Sequence, residues 1–272
     1  AHPAVFCVLR AANGRDAASI ESQSMSGLNQ LRSRRVGLAL SGGSVRGLAH
    51  IGVVKGLADF GIRPGFVAGT SVGSLVGAAL AAGMSWSEIE RMARAIFWPR
   101  LLHGGTLERF CAKYLPATFA ELEIPFIATA TELPARTMLA IAEGNLASAI
   151  SASCAMPGIR RAVSRAGKQL KDGGIACILP SSACRSLGAE FIIGADVWEL
   201  SSVLHKIGIG PDHRWAVRAY PPHYHVALRY TDLVIRPRIP WAGYLSGPEA
   251  IRRMILAGEQ ATKRALDRIQ QR

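Results

Sequence analysis

The chain is short of several things. No apolar run approaches the ~18 residues that a membrane-spanning helix needs. The longest small-residue stretch, after Ser71, is interrupted by Ser74 and glycines and reads as a helix packed closely on a sheet. The five cysteines (Cys7, Cys111, Cys154, Cys177 and Cys184) are scattered without C-x-x-C spacing, which argues against a structural zinc site and a disulfide scaffold. Their odd number, inside apolar segments, points to reduced core thiols and a reducing compartment. No carboxylate cluster or EF-hand-like loop is visible, so no metal is expected. Glycines 42 and 43 are adjacent, so no G-x-G-x-x-G stands there and dinucleotide binding is excluded. Internal repeats and low-complexity linkers are absent too. The apolar run Ala4 to Leu9 has no basic residue before it and is too short for a signal peptide.

Acidic residues are scarce as well. Against 32 Lys and Arg stand 19 Asp and Glu, a formal net charge of +13. The basic residues are dispersed and no RNA- or DNA-binding motif accompanies them, so no nucleic-acid partner is expected. A basic surface is either simply solvated or attracted to an anionic membrane. With 272 residues and 49% apolar content, the chain is long enough for one α/β domain with a sizeable core. Residues 1–34 read as a poorly ordered lead-in holding at most a short helix, and 35–272 as the domain.

What is present is organised by glycine turns. Gly69-Thr70-Ser71-Val72-Gly73 follows the strand-like run Phe66-Val67-Ala68 and opens a helix, Val72 to Ala82. A serine on a sharp strand-to-helix turn is an exposed, activatable hydroxyl. Gly69 and Gly73 stand where such a turn has no room for side chains, and the helix N-terminus favours negative charge developing at the serine. The motif alone is weak. Upstream, Ser41-Gly42-Gly43-Ser44-Val45-Arg46-Gly47 also follows a strand-like run, Val36 to Leu40, and opens a helix, Leu48 to Phe60. Strand, turn, helix, strand, turn, helix is a βαβ unit, which brings both turns to the carboxyl edge of a parallel sheet. The N–H groups of Gly42, Gly43, Ser44, Arg46 and Gly47 are there candidates for an oxyanion hole. Arg46 either anchors the loop or adds positive charge.

A third glycine turn, Lys171-Asp172-Gly173-Gly174, follows a short hairpin over Ala162 to Leu170. G-G-S-V-R-G, G-T-S-V-G and D-G-G, in this order, resemble the patatin-like phospholipases. The segments Ser151 to Gly158, Leu179-Pro180 and Leu187 to Val197 resemble the same family. The resemblance implies a three-layer α/β/α domain with a mainly parallel central sheet and a Ser–Asp dyad without catalytic histidine. It makes Ser71 the nucleophile, Asp172 its base, a lipid or acyl ester the substrate, and a cofactor unnecessary. Such an enzyme is expected in the cytoplasm, peripheral on a membrane. One departure is visible: the family often has a third glycine where Ser44 stands, which a serine tolerates if its φ is negative.

Other readings stay open on the residues alone. Asp172 is also an ordinary turn aspartate. His50, within a helix, reads as a core histidine. His205, His213, His223 and His225 come late enough to complete a Ser–acid–His triad, although that fold needs more strands before its nucleophile. An acyl-carrier transacylase usually carries histidine where this chain has Thr70. A catalytically silent lipid- or acyl-binding module of the same fold is the alternative from another class.

Helices are expected over residues 85–97, with Ser85 as N-cap, Thr106 to Tyr114, Asn145 to Ser153 and about Pro248 to Ile269. Strands are expected over Pro125 to Thr131, Thr137 to Ala142 and Asp232 to Arg236. The helices over 85–97 and Thr106 to Tyr114 either cap the site or cover the sheet. Residues 207–230 read as irregular, with Trp215, Tyr220, Tyr224 and Tyr230 offered as rings for a membrane interface.

Overall fold

The computed structural model describes residues 27–95, 105–198, 220–239 and 247–271. Trp215, His205 and His213 lie outside them. A helix over 27–33, α1, buries Leu28 and Leu31 in the core, so the end of the expected lead-in belongs to the packed domain.

The sheet is built first from the βαβ unit. β1 (Val36–Leu40) pairs in parallel with β2 (Phe66–Thr70), and α2 (Ala49–Asp59) crosses between them. α3 (Val72–Ala81) leaves β2 directly after Ser71. β3 (Phe126–Leu133) continues the parallel series beside β2, while β7 (Phe191–Ala195) and β8 (Leu233–Ile235) extend it beyond β1. The antiparallel members are β4 (Thr137–Ile141), β5 (Val163–Arg165) and β6 (Lys168–Asp172). Eight strands thus run in the order β5-β6-β3-β2-β1-β7-β8, with β4 on β3.

Two-residue alternation divides each central strand between two helical layers. Leu38, Leu40 and Val67 join one core cluster with residues of α2, α3 and α9 (Pro248–Gln270), while Ala39, Ala68 and Ile127 join another with α7 (Ser181–Ser186) and α8 (Pro222–Arg229). The expected three-layer α/β/α arrangement follows. Two short helices, α4 (Trp86–Arg94) and α5 (Thr106–Tyr114), lie between α3 and β3. α4 starts at Ser85 through a reciprocal capping box with Glu88. α4 packs on α2 and α3, and α5 on α6 (Leu146–Ser153). Neither lines the cavity described below, and both pack on other helices rather than directly on the sheet.

The late aromatics correct an expectation. Tyr220 and Tyr224 are buried and stacked on each other 4.8 Å apart. The Tyr224 hydroxyl donates to Asp196, which also accepts from Arg236 at 3.2 Å. A buried carboxylate partnered this way holds the rings inside, away from a membrane interface. Of the described rings named for that role, Tyr230 alone is exposed. Among the described residues, no helix is long and apolar enough to cross a membrane.

Candidate active site

Ser71 sits in the turn between β2 and α3 at φ 53° and ψ −127°, a conformation that a β-carbon disfavours. The flanking glycines make the turn sterically possible. A Cβ on Gly69 would lie 2.4 Å from the Gly73 carbonyl oxygen, and one on Gly73 would lie 2.3 Å from that of Leu40. The turn is then pinned from both sides. The Ser71 N–H donates to Ser153 Oγ at 2.8 Å, and Ser74 Oγ donates to the Ser71 carbonyl at 2.6 Å.

Asp172 reaches Ser71 through the sheet register. β2 occupies residues 126–129 of β3 and β6 occupies 130–133, while β4 overlaps both stretches. A strand has only two edges, so β4 takes one and β6 continues the other where β2 stops. The carboxyl end of β6 therefore arrives opposite the end of β2. Ser71 Oγ donates to Asp172 Oδ2 at 2.8 Å across 101 residues of chain. The other oxygen, Oδ1, accepts from the Gly174 N–H at 2.8 Å, and Thr131 Oγ1 donates to the Asp172 carbonyl at 2.8 Å. Burial pushes the Asp172 carboxyl from 3.8 up to about 6, against the opposing pull of the Gly174 N–H, the Ser71 hydroxyl and the Arg160 charge.

The upstream glycine loop forms the facing wall. Gly42, Gly43, Ser44, Val45 and Arg46 border a cavity of about 440 Å³ together with Ser71 and Asp172. Met156, Pro157, Ile175, Ile178 and Trp198 supply its apolar lining. Hydrogen bonding narrows the five expected oxyanion donors. The Gly42 N–H is committed to the Ile178 carbonyl at 2.9 Å, and that of Arg46 to the Gly43 carbonyl at 3.2 Å. Gly47 stands outside the lining, because it is the contact with α3: a Cβ there would fall 2.2 Å from a Val72 methyl. Among the described residues the Gly43 N–H donates no backbone bond. Arg46 anchors the loop, its Nε donating to the Val197 carbonyl at 3.2 Å. Ser44 has φ +54°, so the condition under which a serine is readily tolerated there is not met; the loop keeps the left-handed turn although the residue is not glycine.

His50 is fully buried, its Nε2 bonded to the Ser41 carbonyl at 2.9 Å. Burial lowers its pKa to about 4, so it is a neutral core histidine as expected. No histidine among the described residues lines the cavity. Cys154 lies beside the dyad, but burial, and then the Asp172 charge, push its thiol up to about 12, where it is a poor nucleophile. No group of three or more His, Cys, Asp or Glu residues suited to a metal ion occurs among the described residues. Two supports went unread in the sequence. Ser153 and Thr131 carry no motif of their own; only the fold brings them to the Ser71 N–H and the Asp172 carbonyl.

The family model described as patatin-like phospholipase matches residues 38–180. An uncharacterised NTE family protein of Mycobacterium tuberculosis is 33% identical over 180 residues, 61% of this chain and 49% of that protein. Patatin-like phospholipase domain-containing protein 6 of Homo sapiens is 30% identical over 189 residues, 61% of this chain and 14% of that one. The chain thus spans about half the length of the mycobacterial relative and a small part of the human one. Among solved structures, VipD from Legionella pneumophila superposes with a TM-score of 0.62 at 14% identity, covering 86% of this chain and 67% of that one, a likeness of fold.

Proposed function

The chain belongs to the patatin-like phospholipase family, and on that premise we propose that it is a lipid acyl-hydrolase working through a Ser71–Asp172 dyad. The observation that carries the reading is the 2.8 Å hydrogen bond from Ser71 Oγ to Asp172 Oδ2 at the wall of a cavity lined largely by apolar side chains. A serine hydroxyl is a weak nucleophile until a base takes its proton, and a carboxyl raised to about 6 is matched to that task near neutral pH.

The steps follow from the geometry. Ser71 Oγ attacks the ester carbonyl while its proton passes to Asp172. The carbonyl oxygen becomes an oxyanion, taken by the Gly43 N–H; such a donor contributes about 3–4 kcal/mol. The intermediate collapses, the ester C–O bond breaks, and the leaving alkoxide takes the proton from Asp172. Water, deprotonated by Asp172, then attacks the acyl-enzyme, and the proton returns to Ser71 Oγ as the fatty acid leaves. Met156, Pro157, Ile175, Ile178 and Trp198 give an acyl chain apolar contact. No step needs a metal or cofactor.

A fluorophosphonate probe should label Ser71, and Ser71→Ala should be silent on the probe and on a panel of phospholipid, lysophospholipid and neutral esters. Labelling that persists in folded Ser71→Ala overturns the assignment. A folded protein that turns over no ester on the panel would return the reading to a silent acyl-binding module. We further propose reversible contact with anionic membranes through the basic excess, since Tyr220 and Tyr224 are withdrawn into the core.

A further inference from the structure

Away from the dyad, a second hollow of about 350 Å³ lies between β8 and α9. Its floor is Val234, Ile235, Ala261 and Ala265, and its rim is Arg236, Arg238, Arg264 and Arg268. The helical spacing explains its shape. Ala261 and Ala265 are one turn apart and leave space, while Arg264 and Arg268, also one turn apart, flank it with like charges. Like charges at this spacing repel unless an anion lies between them. No carboxylate lines the hollow, and Arg238, Arg264 and Arg268 have no ion pair among the described residues.

Arg236 differs from the other three. Asp196 accepts from its Nε at 3.2 Å and the Tyr224 hydroxyl from its Nη2 at 3.1 Å, which orients the guanidinium at the end of β8. The hollow therefore combines one oriented guanidinium with three exposed ones above an apolar floor. Planar guanidinium forks match the oxygen spacing of phosphate and bind it bidentately.

We propose that this arginine hollow is a binding site for a phosphate group, carried either by a free phosphate ester or by an anionic lipid headgroup. It stands apart from the acyl cavity and does not depend on hydrolysis. The two are joined at one residue, because Asp196, the partner of Arg236, accepts through Oδ1 from the N–H of Trp198, which lines the acyl cavity.

The test compares two double variants that remove equal charge from the same helix: Arg264→Ala/Arg268→Ala in the hollow, and Arg252→Ala/Arg253→Ala, also exposed on α9 but outside it. Circular dichroism checks that each is folded. Inorganic phosphate and glycerol 3-phosphate are titrated by calorimetry, and vesicles of phosphatidylglycerol in phosphatidylcholine are assayed by co-sedimentation. The hollow pair should weaken binding at least tenfold, and the control pair less than threefold. Loss in the soluble arm identifies a free phosphate ester; loss confined to the vesicle arm identifies a lipid headgroup. Equal loss in both variants would mean that net charge alone acts, and would overturn the site. So would unchanged binding in the hollow variant, or no binding of either kind by the parent.

Discussion

Asp172 carries a conflict between stability and reactivity. Its carboxyl titrates at 3.8 when unperturbed and at about 6 in the fold, chiefly because it is buried. Below pH 4 folded and unfolded chains are both protonated and the residue is neutral to stability. As pH rises from about 4 to 6 the unfolded chain gives up this proton first, so stability falls. Above 6 the loss is complete, on the order of 3 kcal/mol. Asp172→Asn should therefore melt higher than the parent at pH 8, the difference shrinking as pH falls from 6 and closing near pH 4, while ester turnover disappears. In the parent, kcat/KM should rise with pH through a midpoint near 6, as the carboxylate form accumulates. A profile flat between pH 5 and 7 would remove Asp172 as the base. Ser44 holds a second conflict, a non-glycine residue at φ +54°. Ser44→Gly should gain about 1 kcal/mol by relieving that conformation, read as a rise of ~2–4 °C in Tm. A fall in Tm would mean that the serine side chain stabilises the turn more than its backbone strains it.

Among the elements, those that contain the site were the most legible. The runs Val36 to Leu40 and Phe66 to Ala68, each closed by a glycine turn and a helix, gave the parallel pair β1–β2 and both walls of the site. Ser85 was readable as a cap because an N-cap serine followed three residues later by glutamate is a local signal. Other features were illegible because they depend on long-range register. That β6 succeeds β2 along β3, and so delivers Asp172, appears in no local pattern. Nor does the commitment of the Gly42 and Arg46 amides, or the burial of Tyr220 and of Tyr224, the latter bonded to Asp196 just after β7. The contact of α2 with α9 is of the same kind. A Cβ on Gly52 would stand 1.8 Å from the Ile255 carbonyl oxygen, and one on Gly258 would stand 2.0 Å from that of Ala49. Backbone meets backbone here, so no side chain can yield. Gly52→Ala should cost at least about 2 kcal/mol in urea unfolding by overpacking. Gly65→Ala, where nothing lies within 4 Å, is the control and should be near neutral. Equal effects would show that helix separation is not the cause.

On the scale of the whole molecule, the dyad is a contact between distant parts of one chain. Ser71 and Asp172 are 101 residues apart, and they meet only when β2 and β6 are both paired along β3. Non-local pairings of this sort form late, because loop-closure entropy must be overcome before the contacts that offset it exist. The reactive serine is therefore a clock for folding. The β1–α2–β2 unit and its turn can assemble from nearby residues, yet Ser71 lacks Asp172, its base in the proposed mechanism, until the β5–β6 hairpin docks. During refolding from denaturant, helical circular dichroism should recover ahead of fluorophosphonate labelling, and labelling should track the slowest phase of assembly. On the proposed mechanism, newly made chains would thus remain chemically silent until the sheet is complete, which would delay any hydrolysis of lipid by a half-folded protein.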